Sequence, residues 1–214
     1  MKLYYNPLST YSQKTLIALY EKQVAFEPAL VNLNTPEGQA EYAKVYAIGK
    51  VPLLQLDDDY HIPESTIIIE YLEGHYQTGT RLIPDGVDPA RQVRFMDRMS
   101  DLYLIDPSAT LLFEKFGFSK HTEAQLAKAS KYLHILFERF DKKLASQDWL
   151  CGEFSMADCA AIPPLFYCQY IAPFSDYKNI VRYYERAKQR PSYAKVMAEF
   201  LPIWEGVMSK AAAK

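Results

Sequence analysis

Cysteine is scarce and unevenly placed in this chain. Three occur in 214 residues, Cys151, Cys159 and Cys168, all in the C-terminal half and none in a C-x-x-C pair. An odd number without paired spacing argues against a disulfide framework or a zinc site, and it fits a reducing, cytoplasmic compartment. The four histidines, His61, His75, His121 and His134, lack ligand-like spacing, so no metal is expected. Long apolar runs are missing too. No stretch approaches the roughly 20 residues of a membrane span, and Met1–Tyr5 leads into Asn6-Pro7 instead of the apolar core of a secretory signal. There is no basic run either. With 24 Lys and Arg against 26 Asp and Glu, the net charge is −2, which argues against a nucleic-acid or membrane partner. No repeat or low-complexity segment appears beyond the small tail Lys210 to Lys214. What remains is a chain that is 49% hydrophobic, with length for one large or two small domains.

Residues 1–76 read as a small mixed sheet with helices on its faces. Lys2 to Tyr5 is a strand stopped by Asn6-Pro7. A helix follows from about Tyr11, with Leu16, Ile17, Leu19 and Tyr20 on its apolar face. Ala25 to Val31 is a strand that Pro28 confines to an edge, and Pro36 to Tyr46 is weakly helical. Residues 77–88 carry Gly79, Pro84 and Gly86 and read as a linker. Residues 89–214 read as an all-α domain. Asp88-Pro89 opens a long helix to about Gly117, interrupted at Pro107. Others run from Thr122 to Ala145, from Ser155, from near Tyr177, and, as a short fifth, after Pro191.

The informative stretch runs from Tyr42 to Glu73. Ile48-Gly49-Lys50 is a turn, Val51-Pro52 leads into a strand at Leu53 to Leu56, and Asp57-Asp58-Asp59 turns the chain into a second strand, Tyr60 to Ile62. Pro63-Glu64-Ser65 then opens a helix. A Val-Pro bond is one of the few places where a cis peptide costs little. In that form the Val51 N–H and C=O would face outward, free to pair with an extended ligand. Ser65 stands at a helix N-terminus, where unpaired N–H groups attract a carboxylate. The plainer alternatives are a trans strand-start proline and an ordinary helix cap.

The series G-K-V-P-x-L, an acidic turn, then E-S-x-x-I-x-x-Y-L resembles the glutathione-binding half of the cytosolic glutathione transferases. The resemblance implies a thioredoxin-like α/β N-terminal domain followed by an all-α helical bundle. It implies that Val51 pairs with the cysteinyl backbone of glutathione, with cis Pro52 behind it, and that Glu64 and Ser65 hold the γ-glutamyl group. Lys50 could meet the glycine carboxylate, with Lys44 as a neighbour or a solvated surface lysine.

The loop Pro7-Leu8-Ser9-Thr10-Tyr11-Ser12 lies between the first strand and the first helix. A free thiol has a pKa of about 8.5, so only a small fraction of glutathione is thiolate at neutral pH. Lowering that value by about two units takes about 2.7 kcal/mol of preferential anion stabilisation, which a hydroxyl donor and a helix N-terminus can supply. S-x-x-S-x-K resembles the serine-type enzymes of the theta, delta and zeta kinds and places Ser9 at their catalytic serine. Tyr5 falls at the catalytic tyrosine of tyrosine-type members, and Thr10 at the cysteine of cysteine-type members. Thr10, Tyr11, Ser12 and a backbone amide stay open as alternatives, as does a plain capping role for Ser9. Without a cysteine here, thiol–disulfide exchange is disfavoured.

In the helical half, Ser155-Met156-Ala157-Asp158 forms a capping box, flanked by Phe154 and Cys159 at the staple positions. It reads as structural. Met96, Met99, Tyr103 and Phe113 form an apolar stripe on the long helix, a pattern that more often marks core than a pocket. In the resembled fold this helix borders the second-substrate pocket, with Met99, Tyr103 and Asp106 as the candidate contacts. The expected activity is conjugation of glutathione, as co-substrate, to small hydrophobic electrophiles by a homodimer. Two alternatives stand. One is a binding or regulatory module without turnover. The other is a glutathione-dependent isomerase or peroxidase, of which the isomerase is disfavoured because the R-x-S-S-C-S-like loop of zeta enzymes is not reproduced.

Overall fold

The computed structural model describes residues 1–57 and 59–212, with backbone alone for 210–212. Asp58, at the centre of the expected acidic turn, lies outside the described residues, as do the last two of the expected tail.

Four short strands make one sheet in the order β2-β1-β3-β4. β1 (Lys2–Tyr5) is central. It pairs in parallel with β2 (Glu27–Leu30) and antiparallel with β3 (Leu53–Gln55), which pairs antiparallel with β4 (His61–Pro63). The expected edge strand is at the edge, where Pro28 needs no ladder partner on its outer side. Alternation splits the apolar residues between two faces. Leu3, Tyr5 and Leu54 enter the main core, while Leu53 joins Val31 and Tyr42 in a smaller cluster under α2 (Pro36–Ala43).

α1 (Thr10–Glu21) and α3 (Ser65–His75) pack together and carry that main core into the helical half. The organising element there is α7 (Met156–Ile171). Its residues from Met156 to Cys168 are all buried, and it packs against α1 and α4 (Val87–Ser100). α8 (Lys178–Lys188) also touches it and packs on α6 (Glu123–Leu144), and α9 (Pro191–Ala212) returns to α1. The expected fold class, a thioredoxin-like α/β unit followed by a helical bundle, is the one found.

Several boundaries differ from the sequence reading, each for a physical reason. The long helix begins at Val87, with Gly86 at φ 88° before it, so Asp88 and Pro89 lie in the first turn. It runs on to Lys115 with the expected interruption beside Pro107, widening into a π-helical turn at Asp101–Ile105 and resuming as α5 (Asp106–Lys115). Pro107 has no N–H and crowds the carbonyl four residues back, and the wider turn accommodates it. The last helix is not short. Pro202 stands on an exposed side of α9, while Phe200 and Trp204 are buried in the aromatic core. Packing carries the helix through its proline.

Asp158 shows why the capping box belongs to the scaffold. It is fully buried and accepts from the N–H of Ser155 at 3.0 Å, the N–H of Leu150 at 2.9 Å and the Tyr183 hydroxyl at 3.0 Å. One carboxyl thus fastens α7, the turn before it and α8. Burial nevertheless pushes its pKa up to about 6.

Candidate functional site

Strand register brings three separate segments to one end of the sheet. Tyr4 pairs with Leu53, and Leu53 with Pro63. The exit of β1 towards Ser9, the approach to β3 through Val51, and the exit of β4 into Ser65 therefore lie side by side, with neighbouring strands about 4.8 Å apart.

The middle segment carries a cis Val51-Pro52 bond. Tyr42 donates its hydroxyl to the Lys50 carbonyl at 2.8 Å and so holds the turn ahead of Val51. Among the described residues, neither the Val51 N–H nor its C=O has a hydrogen-bond partner. They form a short free edge. Lys50 is exposed and makes no ion pair among the described residues, whereas Lys44 is bound to Glu41 at 2.6 Å.

At the third segment Glu64 adopts φ 70°, ψ 119°, a backbone region that side-chain-bearing residues avoid. The helix places Glu64 at its N-cap, exposed, with no capping bond from its side chain. Ser65 follows, buried, its hydroxyl without a hydrogen-bond partner among the described residues. The first amides of α3 have no partner within the helix, and such a helix start attracts anions.

The β1–α1 loop is held at each of three successive carbonyls. Asn6 accepts from the Ser9 N–H at 2.9 Å, Pro7 from Gln13 Nε2 at 2.7 Å, and Leu8 from the Tyr167 hydroxyl at 2.7 Å. Ser9 is the N-cap of α1, its Oγ accepting from the Ser12 N–H at 3.3 Å. That bond uses an oxygen lone pair and leaves the hydroxyl hydrogen free to donate, strengthened by the bond it accepts.

The other loop hydroxyls differ. Tyr11 donates to Asp106 at 2.8 Å, and Ser12 is buried beneath the Asn6 N–H, whose bond it accepts at 3.3 Å. Thr10 makes no side-chain hydrogen bond among the described residues. Tyr5 is buried and donates to Glu199 on α9 at 2.7 Å. Burial and that carboxylate push its phenol well above the usual range, away from an easily ionised group.

The long-helix candidates separate. Met96 is entirely buried in the core. Met99 and Tyr103 are half-buried, and Tyr103 packs edge-on against Tyr132. Asp106 is exposed but engaged by Tyr11. Phe113 is exposed near the C-terminal end of α5.

One cluster escaped the sequence reading. Lys14 is buried between α1 and α4, at 2.7 Å from Asp97 and 2.9 Å from Asp101. It also donates to Thr66, whose hydroxyl donates to Asp97 at 2.7 Å. Two carboxylates share one cation, and burial raises the Asp101 pKa. The cluster ties α1 and α3, which open at Ser9 and Ser65, to a single point on the helical half. The available signal was a lysine on the face of α1 that also carries Ile17 and Ala18.

Among the described residues no group of side chains could hold a metal ion, and no helix is long and apolar enough to cross a membrane.

Residues 3–80 match the family model for the glutathione S-transferase N-terminal domain, and residues 123–186 that for the C-terminal domain. The chain is 31% identical over 211 residues to glutathione S-transferase hmp2 of Hypomyces subiculosus, covering 93% of this chain and 98% of that one. Glutathione transferase F1 from poplar superposes with a TM-score of 0.82 at 26% identity, over 94% and 98% of the two chains. A glutathione S-transferase from Methylobacillus flagellatus, solved with glutathione bound, superposes with a TM-score of 0.81 at 26% identity, over 91% and 98%.

Proposed function

Because the chain belongs to the glutathione S-transferase family, we propose that it binds glutathione at the sheet end formed by Ser9, Val51 and Ser65 and transfers the tripeptide's thiolate to a small hydrophobic electrophile. The observation that carries this reading is the register Tyr4–Leu53–Pro63, which sets a free hydroxyl, a free peptide edge and a free helix N-terminus side by side. Their chemistries match the parts of one ligand. The cysteinyl backbone extends the sheet edge at Val51. The γ-glutamyl carboxylate occupies the first turn of α3 beside Ser65, with Glu64 towards the ammonium group. Lys50 meets the glycine carboxylate. The thiol then falls at the N-terminus of α1, where the Ser9 hydroxyl donates to the thiolate and lowers its pKa.

The serine-type reading rests on the free hydroxyl hydrogen of Ser9. Tyr5 is the weaker alternative because its hydroxyl is committed to Glu199. Met99 and Tyr103 supply an apolar wall for the electrophile, and Asp106 acts through Tyr11. Pairing into a homodimer is supported by Ile67 and Phe95, large apolar side chains left exposed on α3 and α4, which the Arg94–Glu70 ion pair joins. A cytoplasmic setting accords with three free cysteines.

Calorimetric titration with glutathione, alongside turnover of 1-chloro-2,4-dinitrobenzene by wild type and Ser9→Ala, tests the proposal. The expected result is retained binding with turnover reduced about a hundredfold in the variant. Full turnover in Ser9→Ala removes Ser9 from the mechanism. Binding without turnover in the wild type turns the reading towards a module that holds glutathione without conjugating it. Absent binding refutes the whole reading.

A further inference from the structure

The Leu8 carbonyl and the Ser9 N–H belong to one peptide group, and both ends of that group are fastened. Asn6 takes the N–H at 2.9 Å, and Tyr167 gives its hydroxyl to the carbonyl at 2.7 Å. Of the three loop carbonyls, Leu8 alone is held from the helical half of the chain; the donors to Asn6 and Pro7 are Ser9 and Gln13. The donor is rigid. Tyr167 is buried on α7, and its ring packs edge-on against Phe166, Phe200 and Trp204. It also stays a donor at every working pH, because burial pushes the phenol well above its ordinary value.

We infer that Tyr167 is a positioning residue for thiol activation, fixing the plane of the Leu8–Ser9 peptide and with it the direction in which Ser9 presents its hydroxyl. The inference rests on the assignment of Ser9 above. Two effects run through the one bond. The peptide plane sets the frame from which the Ser9 side chain rotates, and a misplacement of a fraction of an ångström weakens a donor aimed at sulfur. The bond also polarises the peptide, which strengthens the Ser9 N–H and so the turn that it closes with Asn6. Because Tyr167 stands in the aromatic core of the helical half, repacking there would be transmitted to the thiol through a single hydroxyl.

The test is a titration of bound glutathione by the ultraviolet absorbance of its thiolate, in wild type, Ser9→Ala, Tyr167→Phe and the double variant, with turnover measured in parallel. In Tyr167→Phe the midpoint should rise by about one pH unit and kcat at pH 7 fall about threefold, with KM for glutathione within about twofold. The double variant should titrate like Ser9→Ala alone. If Ser9→Ala moves the midpoint and Tyr167→Phe does not, the role of Tyr167 is refuted and that of Ser9 stands, even if melting falls. If neither variant moves it, the assignment of Ser9 fails and this inference fails with it. Additive shifts in the double variant would also refute action through Ser9. Should Tyr167→Phe not fold, 3-fluorotyrosine at position 167 keeps the ring and strengthens the donor. A lowered midpoint then supports the inference, and an unmoved one refutes it.

Discussion

Lys14 Nζ lies 2.7 Å from an Asp97 carboxylate oxygen, and both side chains are closed to solvent. Asp101 completes the arrangement at 2.9 Å. Buried ion pairs add little net stability when complete and cost much when broken. Lys14→Met should therefore lower the unfolding free energy by about 3–5 kcal/mol in urea titrations. Adding Asp97→Asn and Asp101→Asn should recover most of the loss. A single-variant loss under about 1 kcal/mol would show that the two carboxyls neutralise themselves without the lysine.

Removing the Asp158 carboxyl leaves the Leu150 N–H and the Tyr183 hydroxyl buried without partners. Asp158→Ala should cost about 2–4 kcal/mol while leaving glutathione affinity of the folded fraction unchanged. Preserved melting with lost activity would contradict this structural role.

The same carboxyl makes a pH prediction. Its pKa is raised to about 6 in the fold, so the native state binds its proton more tightly than the unfolded chain. Its contribution is then fully present below the unfolded value near 4 and is lost as pH rises through about 6. Wild type should lose stability relative to Asp158→Asn between those values, by up to about 3 kcal/mol. Guanidinium titrations of both proteins at pH 4, 5, 6 and 7 give the difference directly. A gap that does not change across this range would contradict the raised value.

Glu64 holds φ 70° without glycine's freedom. Glu64→Gly should raise the melting free energy by about 1 kcal/mol through relief of that conformation. It should also weaken glutathione about tenfold by removing a carboxylate from the proposed site. Scanning calorimetry and titration calorimetry on one preparation separate the two effects. Stability and affinity moving in the same direction would exclude this trade.

Tyr5→Phe separates the two hydroxyl assignments. The lost bond to Glu199 should cost about 1 kcal/mol of stability. Steady-state turnover of the folded variant should match wild type. A drop of tenfold or more would move the activating role from Ser9 to Tyr5.

Local chemistry was legible in the sequence and distant partnership was not. Gly49-Lys50-Val51-Pro52 and Glu64-Ser65 announce a turn, a free strand start and a helix start, because each feature depends on neighbours a few residues away. The succession of strands and helices along the chain and the helical second half followed from the same short-range signals. Nothing near Lys14 names Asp97, 83 residues on, and Tyr167 gives no hint of Leu8, 159 residues back. Pro107 marked an interruption that takes the form of a π turn, whereas the expectation of a short last helix missed that Phe200 and Trp204 hold α9 together through Pro202. The sequence pointed to Ser9 and left Tyr5 and the other loop hydroxyls as alternatives. Partners and burial distinguish them: Tyr5 and Tyr11 donate to Glu199 and Asp106, and Ser12 is closed to solvent.

The Tyr5–Glu199 bond spans 194 residues, and Glu21 is held by Arg190 and Ser192 from the far end of the chain. A ribosome adding about 5–20 residues per second needs roughly 10–40 s to make that intervening length. The first strand and helix therefore emerge long before the helix that seals them. During synthesis the sheet end waits half-built, with its buried tyrosine and glutamate still in water, and the newborn first half depends on the last helix to become a finished domain.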